Sequence, residues 1–108
     1  MVIVLVCLIL KYWRNMDGIL NKINQRQRQI IVHSVLYYKM DTNLINDKTF
    51  DRWSRELVRL QAEYPEIAKK SVFYRELKDF DASTGFYLAD NLWGYMKAMQ
   101  ILNTMPKF

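Results

Sequence analysis

The sequence predicts a small all-α domain, an antiparallel helix–loop–helix hairpin followed by a C-terminal helix, on three observations. Three glycines and two prolines in 108 residues are too few for the turns of a sandwich or barrel. Phe50, Trp53, Leu57, Leu60 and Tyr64 step by 3, 4, 3 and 4, one continuous helical stripe. A composition of 51% hydrophobic and 25% charged residues lies well away from disorder, at a length that suits one core.

The elements follow in chain order. Residues 1–10, MVIVLVCLIL, are wholly apolar, but ten helical residues span only about 15 Å, half of a bilayer's hydrocarbon core. Three readings stand for residues 1–15: a segment packed on the domain, an interfacial anchor, or a leader upstream of a true start at Met16. The last is favoured, since Asp17 would then cap a well-patterned single domain over 16–108, and a membrane partner is not expected. Ile19, Leu20, Ile23, Ile30, Ile31 and Tyr37 carry a first helix to about Met40. Asp41-Thr42-Asn43 breaks it. Asn46 or Asp47 caps a second helix, which Pro65 ends. Residues 66–78 read as a short helix ending in Glu76-Leu77-Lys78, and 79–90 as a loop around Ser83-Thr84-Gly85. A last helix runs from about Asn91 with Leu92, Trp93, Met96, Met99 and Leu102 on one side.

Composition excludes several classes of function. One cysteine forbids a disulfide framework, and one histidine with one cysteine leaves too few ligands for most zinc sites, so no metal is expected and a cytoplasmic location is. Sixteen basic against eleven acidic residues give a net charge of +5, which tolerates an anionic partner without demanding one. Arg52, Arg55 and Arg59 lie along one side of the second helix and are the residues for a nucleic-acid or partner contact. Asp51 and Arg55 form a favourable i,i+4 pair, so a solvated face is the default reading there.

Isolated motifs carry little. Lys39-Met40-Asp41-Thr42 nearly matches a nucleotidyl-transfer lysine motif but lacks its glycine. Asp79-x-Asp81-x-Ser83 starts like a calcium loop, yet Thr84 stands where the turn needs glycine. His33 has no identifiable Ser or Cys partner for nucleophilic catalysis. The chain is not expected to be an enzyme in its own right.

The segment from Leu36 to Glu66 is more specific. It holds Tyr37-Tyr38, an aspartate at 41, Ile45-x-Asp47, Phe50-Asp51 at a helix start, Glu56-Leu57 and Tyr64-Pro65. This closely resembles domain Ia, the small N-terminal helical hairpin of bacterial NAD-dependent DNA ligases, over residues 19–66. The resemblance implies recognition of the nicotinamide mononucleotide half of NAD. It matches Tyr37 and Tyr38 to the aromatic pair facing the nicotinamide, Asp47 to the loop aspartate, and Phe50 and Asp51 to a Tyr-Asp pair. It also implies a stand-alone ligase-related protein of phage or prophage type, with roles in DNA replication or repair. Chemically, a cationic pyridinium over an aromatic face gains about 0.5–2 kcal/mol, and carboxylates accept bonds from its amide or ribose.

There are departures. Phe50 stands for a tyrosine and loses its hydroxyl, and Trp53 stands for a leucine. The Ser-Pro-x-Gln-Arg-Val pattern expected after Pro65 is absent, and no nucleotidyltransferase module follows. The leading expectation is a non-catalytic module that binds nicotinamide mononucleotide or NAD, or acts in trans with a ligase. The alternatives are a protein-interaction module that engages a host factor through residues 71–95, and a basic nucleic-acid binder.

Overall fold

Five α-helices and one 3-10 turn make up the computed structural model, which describes residues 2–104, with side chains from Asn15 onward. They are α1 (Val2–Met40), α2 (Asp47–Glu63), α3 (Pro65–Ala68), α4 (Tyr74–Leu77), a 3-10 turn at Phe86–Leu88, and α5 (Leu92–Thr104). No strand occurs among the described residues, and the domain is all-α as expected.

The first helix corrects one expectation. It runs unbroken through Asp17, which therefore stands in the helix body and caps nothing. Residues 11–17 contain neither glycine nor proline, and the single Gly18 costs about 1 kcal/mol against alanine, too little to interrupt a 39-residue helix. The reading of residues 1–15 as a leader falls largely on side chains outside the described residues. Among the described residues, no helix is long and apolar enough to cross a membrane. Asp41 ends α1 in the left-handed region at φ 48°, a conformation that aspartate tolerates better than most residues. The Thr42 hydroxyl then bonds the Met40 carbonyl at 2.8 Å.

Asn46, not Asp47, caps α2. Its side-chain oxygen accepts the Thr49 N–H at 2.8 Å, a contact of about 1 kcal/mol, while Asp47 places its carboxylate in the first turn, where the helix dipole favours it. The α2 stripe turns inward as predicted: Leu57 and Leu60 are buried and Phe50 and Trp53 half-buried against the core. Tyr64 turns outward because it is the C-cap from which Pro65 opens α3. The expected helix over 66–78 is instead two single turns, α3 and α4, joined by a buried turn at Ser71.

Gln27 explains that turn. It is fully buried in α1; its amide nitrogen donates to Gln61 Oε1 at 3.0 Å and Ser71 Oγ at 2.8 Å, and its oxygen accepts the Phe73 N–H at 2.9 Å. Gln61 passes the chain on to the Leu77 carbonyl at 2.9 Å, and Asn24 accepts the Val72 N–H at 2.9 Å. The chain from 68 to 77 is thus fastened to α1 and α2 by amides rather than by a long apolar helix face.

The last helix forms where expected, and its apolar side is divided between solvent and core. Gly94 and Ala98 are its buried residues, whereas Leu92, Met96 and Met99 face solvent and Trp93 and Leu102 are half-buried. A Cβ at Gly94 would come within 2.5 Å of Ile31 Cγ2 and 3.1 Å of Val35 Cγ2. Small residues let α5 lie directly on α1, so the inner face is the one with least side chain. Asn91 starts this helix by accepting the Gly94 N–H at 2.8 Å.

Gln27→Ala removes the partners of Ser71, Gln61 and the Phe73 N–H in one step. Its expected cost is about 2–4 kcal/mol, read as a lower urea midpoint by circular dichroism.

Candidate functional site

At the loop end of the hairpin the two helices and the segment before the 3-10 turn enclose a cleft of about 220 Å³. The end of α1 contributes His33, Ser34, Tyr37 and Tyr38. The loop adds residues 42–45, and α2 adds Asp47 and Phe50. Ser83, Thr84 and Gly85 supply the far wall. The spacing accounts for the first wall: positions 33, 34, 37 and 38 lie on one helical face, one turn apart. The Asn46 cap then starts α2 so that Asp47 and Phe50, three residues apart, both face the same hollow.

Four of the five residues singled out from the sequence therefore meet in one place: Tyr37, Tyr38, Asp47 and Phe50. The two tyrosine rings pack edge to face at 4.8 Å and remain 51% and 39% exposed. Asp51 stands outside the cleft wall and pairs with Arg55 at 3.0 Å. Arg59 reaches Glu63 at 3.5 Å, and Arg52 is exposed, so this side of α2 is a solvated face carrying i,i+4 pairs. Lys39, from the near-match to a nucleotidyl-transfer motif, pairs with Asp90 at 2.9 Å on the surface.

The wall is electrostatically one-sided. Asp47 is its one carboxylate, and among the described residues no lysine or arginine lines it. Burial pushes the His33 imidazole below its ordinary value, so at neutral pH it adds no charge. Its ring lies 5.7 Å from that of Trp53, which fills the leucine position and also receives the Arg26 guanidinium at 5.1 Å. The Ser34 hydroxyl is buried without a hydrogen-bond partner among the described residues. Among the described residues no three His, Cys, Asp or Glu side chains gather as a metal site would need. The calcium-like stretch is an ordinary turn: Asp81 accepts from the Ser83 hydroxyl at 2.6 Å and its N–H at 2.9 Å, and these bonds hold its carboxyl below the usual range.

His33, Ser34, loop residues 42–45 and residues 83–85 are the wall residues that sequence reasoning did not assign to the site. Helical spacing from Tyr37 would have found the first two. Nothing local signals that a segment some 46 residues downstream of Tyr38 returns to it.

Fold and cleft together define a small all-helical hairpin domain with an aromatic, carboxylate-bearing hollow at its closed end. Residues 16–71 match the family described as DNA ligase-like, N-terminal NAD+-binding domain, and the chain belongs to that family. The DNA ligase of Methylococcus capsulatus is 37% identical over 49 residues, covering 45% of this chain and 7% of that protein. The DNA ligase of Brachyspira hyodysenteriae is 26% identical over 101 residues, covering 86% of this chain and 15% of that protein. The chain thus corresponds to a small part of each relative. No solved structure matches it significantly.

The unfolded chain, with His33 at its ordinary value near 6.5, binds more protons than the folded one just below that pH. Stability should therefore fall as pH drops through about 6.5. Urea denaturation at about pH 7.5 and 5.5 should show a smaller loss in His33→Gln than in the unaltered chain.

Proposed function

We propose that this chain binds the nicotinamide mononucleotide half of NAD in the cleft, as a non-catalytic module, and serves a ligase adenylation domain in trans. The observation that carries the reading is the gathering of Tyr37, Tyr38, Phe50 and Asp47 around one hollow in a member of an NAD+-binding domain family. A cationic pyridinium suits this wall: aromatic faces attract it, Asp47 complements its charge, and no wall cation opposes it. The hollow is smaller than the roughly 300–1,000 Å³ that encloses a drug-sized ligand, so it takes one ring and its amide while the rest of the dinucleotide stays outside. Asp51 would join only by releasing Arg55, which gives it a lesser share than Asp47.

The protein's own groups bind and orient in this reading. With no lysine in the described wall, they offer no nucleophile for adenylyl transfer. A cytoplasmic setting and an origin in phage or prophage DNA metabolism accompany the proposal as its biological context.

A second reading, a protein-interaction module, draws on a different observation. Phe86, Tyr87, Leu92, Tyr95 and Met96 are each 47–73% exposed, the residue types that anchor interfaces. It predicts no nucleotide binding at all.

Two-dimensional NMR titration of the full chain separates them. Nicotinamide mononucleotide should give saturable shifts at Tyr37, Tyr38, Asp47 and Phe50, and nicotinic acid mononucleotide, whose ring carries a carboxylate, weaker ones. Asp47→Asn should weaken binding about five- to tenfold with helicity unchanged, and Asp51→Ala about twofold. An unchanged spectrum at millimolar ligand sinks the proposal.

A further inference from the structure

Residues 83–85 line the cleft, and Phe86 next to them meets the Tyr38 ring, although all four lie outside the 16–71 family match. We propose that this strap is an integral wall of the ligand site, in which Thr84 and Phe86 are positioning residues that set the ring of Tyr38 for a cationic aromatic ligand. The inference rests on the reading that the cleft takes a nicotinamide ring.

Tyr38 is gripped at both ends. Its hydroxyl lies 3.0 Å from Thr84 Oγ1, which also accepts the Phe86 N–H at 3.1 Å. Its ring meets the Phe86 ring edge to face at 5.2 Å and 89°, and the Tyr37 ring at 4.8 Å and 84°. The three rings form a continuous row whose outer member belongs to the strap. A tyrosine at a helix end otherwise swings among rotamers, and a ring held in one of them contributes more to binding because less freedom is lost when the ligand arrives.

The strap has its own anchors. Gly85 is buried against α1, where an added Cβ would overlap the Ser34 hydroxyl and stand 3.6 Å from Phe50 Cζ. The contact with Ser34 is the one that favours glycine here, since a Cβ would force that side chain to move, whereas 3.6 Å to Phe50 is ordinary packing. Upstream, Ala82 holds the left-handed conformation at φ 69°, and Asp81 ties the Ser83 N–H and hydroxyl. Downstream, Leu88 and Ala89 are buried, and the Tyr87 hydroxyl donates to the Glu76 carbonyl at 3.2 Å. A non-glycine residue held at positive φ between such fixed points marks a segment whose path is imposed by its surroundings. What that path delivers is the Thr84 hydroxyl and the Phe86 ring to Tyr38.

The experiment is a calorimetric and NMR titration of the full chain with nicotinamide mononucleotide. Thr84→Val keeps the shape and removes the hydroxyl; it should weaken binding about fivefold and move the Tyr38 ring resonances in the free protein, with helicity unchanged. Thr84→Ser restores the hydroxyl and should return affinity to within about twofold. Phe86→Leu, at an exposed position, should weaken binding two- to threefold. Affinity in Thr84→Val and Phe86→Leu equal to that of the unaltered chain, or no rescue by Thr84→Ser, overturns this proposal alone. Absence of binding by the unaltered chain overturns the nicotinamide reading and this one with it.

Discussion

The buried amide of Gln27 is the constraint on which most of the structure depends. A glutamine taken wholly out of water costs several kcal/mol unless its donors and acceptor are met, and here they are met by Gln61, Ser71 and the backbone at Phe73. Those partners come from α2 and from the turn between α3 and α4. Satisfying one side chain therefore fixes the relative placement of three elements. The apolar residues around it, Ile23, Ile30, Leu57, Leu60, Ile67 and Leu77, supply most of the driving force but are far less selective about geometry.

This division of labour explains what could be read in advance. The hairpin was legible because its signals are local: a regular stripe on α2, a breaker cluster at 41–43, a cap at Asn46 or Asp47 and a proline at 65. The one-turn helices α3 and α4 were not, since their shape depends on amides in α1 whose role is invisible in a polar run such as Asn24-Gln25-Arg26-Gln27. The start of α1 was misjudged for a related reason: a residue able to cap a helix does so only where the helix ends. For α5 the apolar side was legible but its orientation was not: only Trp93 and Leu102 at its edges meet the core, and the close approach to Ile31 and Val35 is made at Gly94.

At the cleft, four of the five expected residues converge because the spacing of a helix end, a short loop and a capped helix start leaves them little choice. Asp51 parts from them by one turn and meets Arg55 instead. The closing wall escaped notice because it comes from sequence outside the recognisable hairpin, where no periodicity indicates which way a loop returns. Belonging to an NAD+-binding domain family and having a complete cleft are thus separate properties. The first rests on residues 16–71, the second also on residues 83–85.

Chain order gives the position of the closing wall a kinetic side. Contacts between α1 and α2 close a short loop and need little search, whereas the strap and α5 must return to α1 across some 45–60 residues. Loop closure therefore costs the hairpin less than it costs the C-terminal third, whose return is sealed by Gly94 and Ala98 against α1 with Trp93, Ile101 and Leu102 packed beside them. Burial of Leu88, Ala89 and Ala98 offsets that larger closure cost in the native state. The two walls of the cleft then differ in the loop each must close, a short one for the paired helices and a long one for the strap.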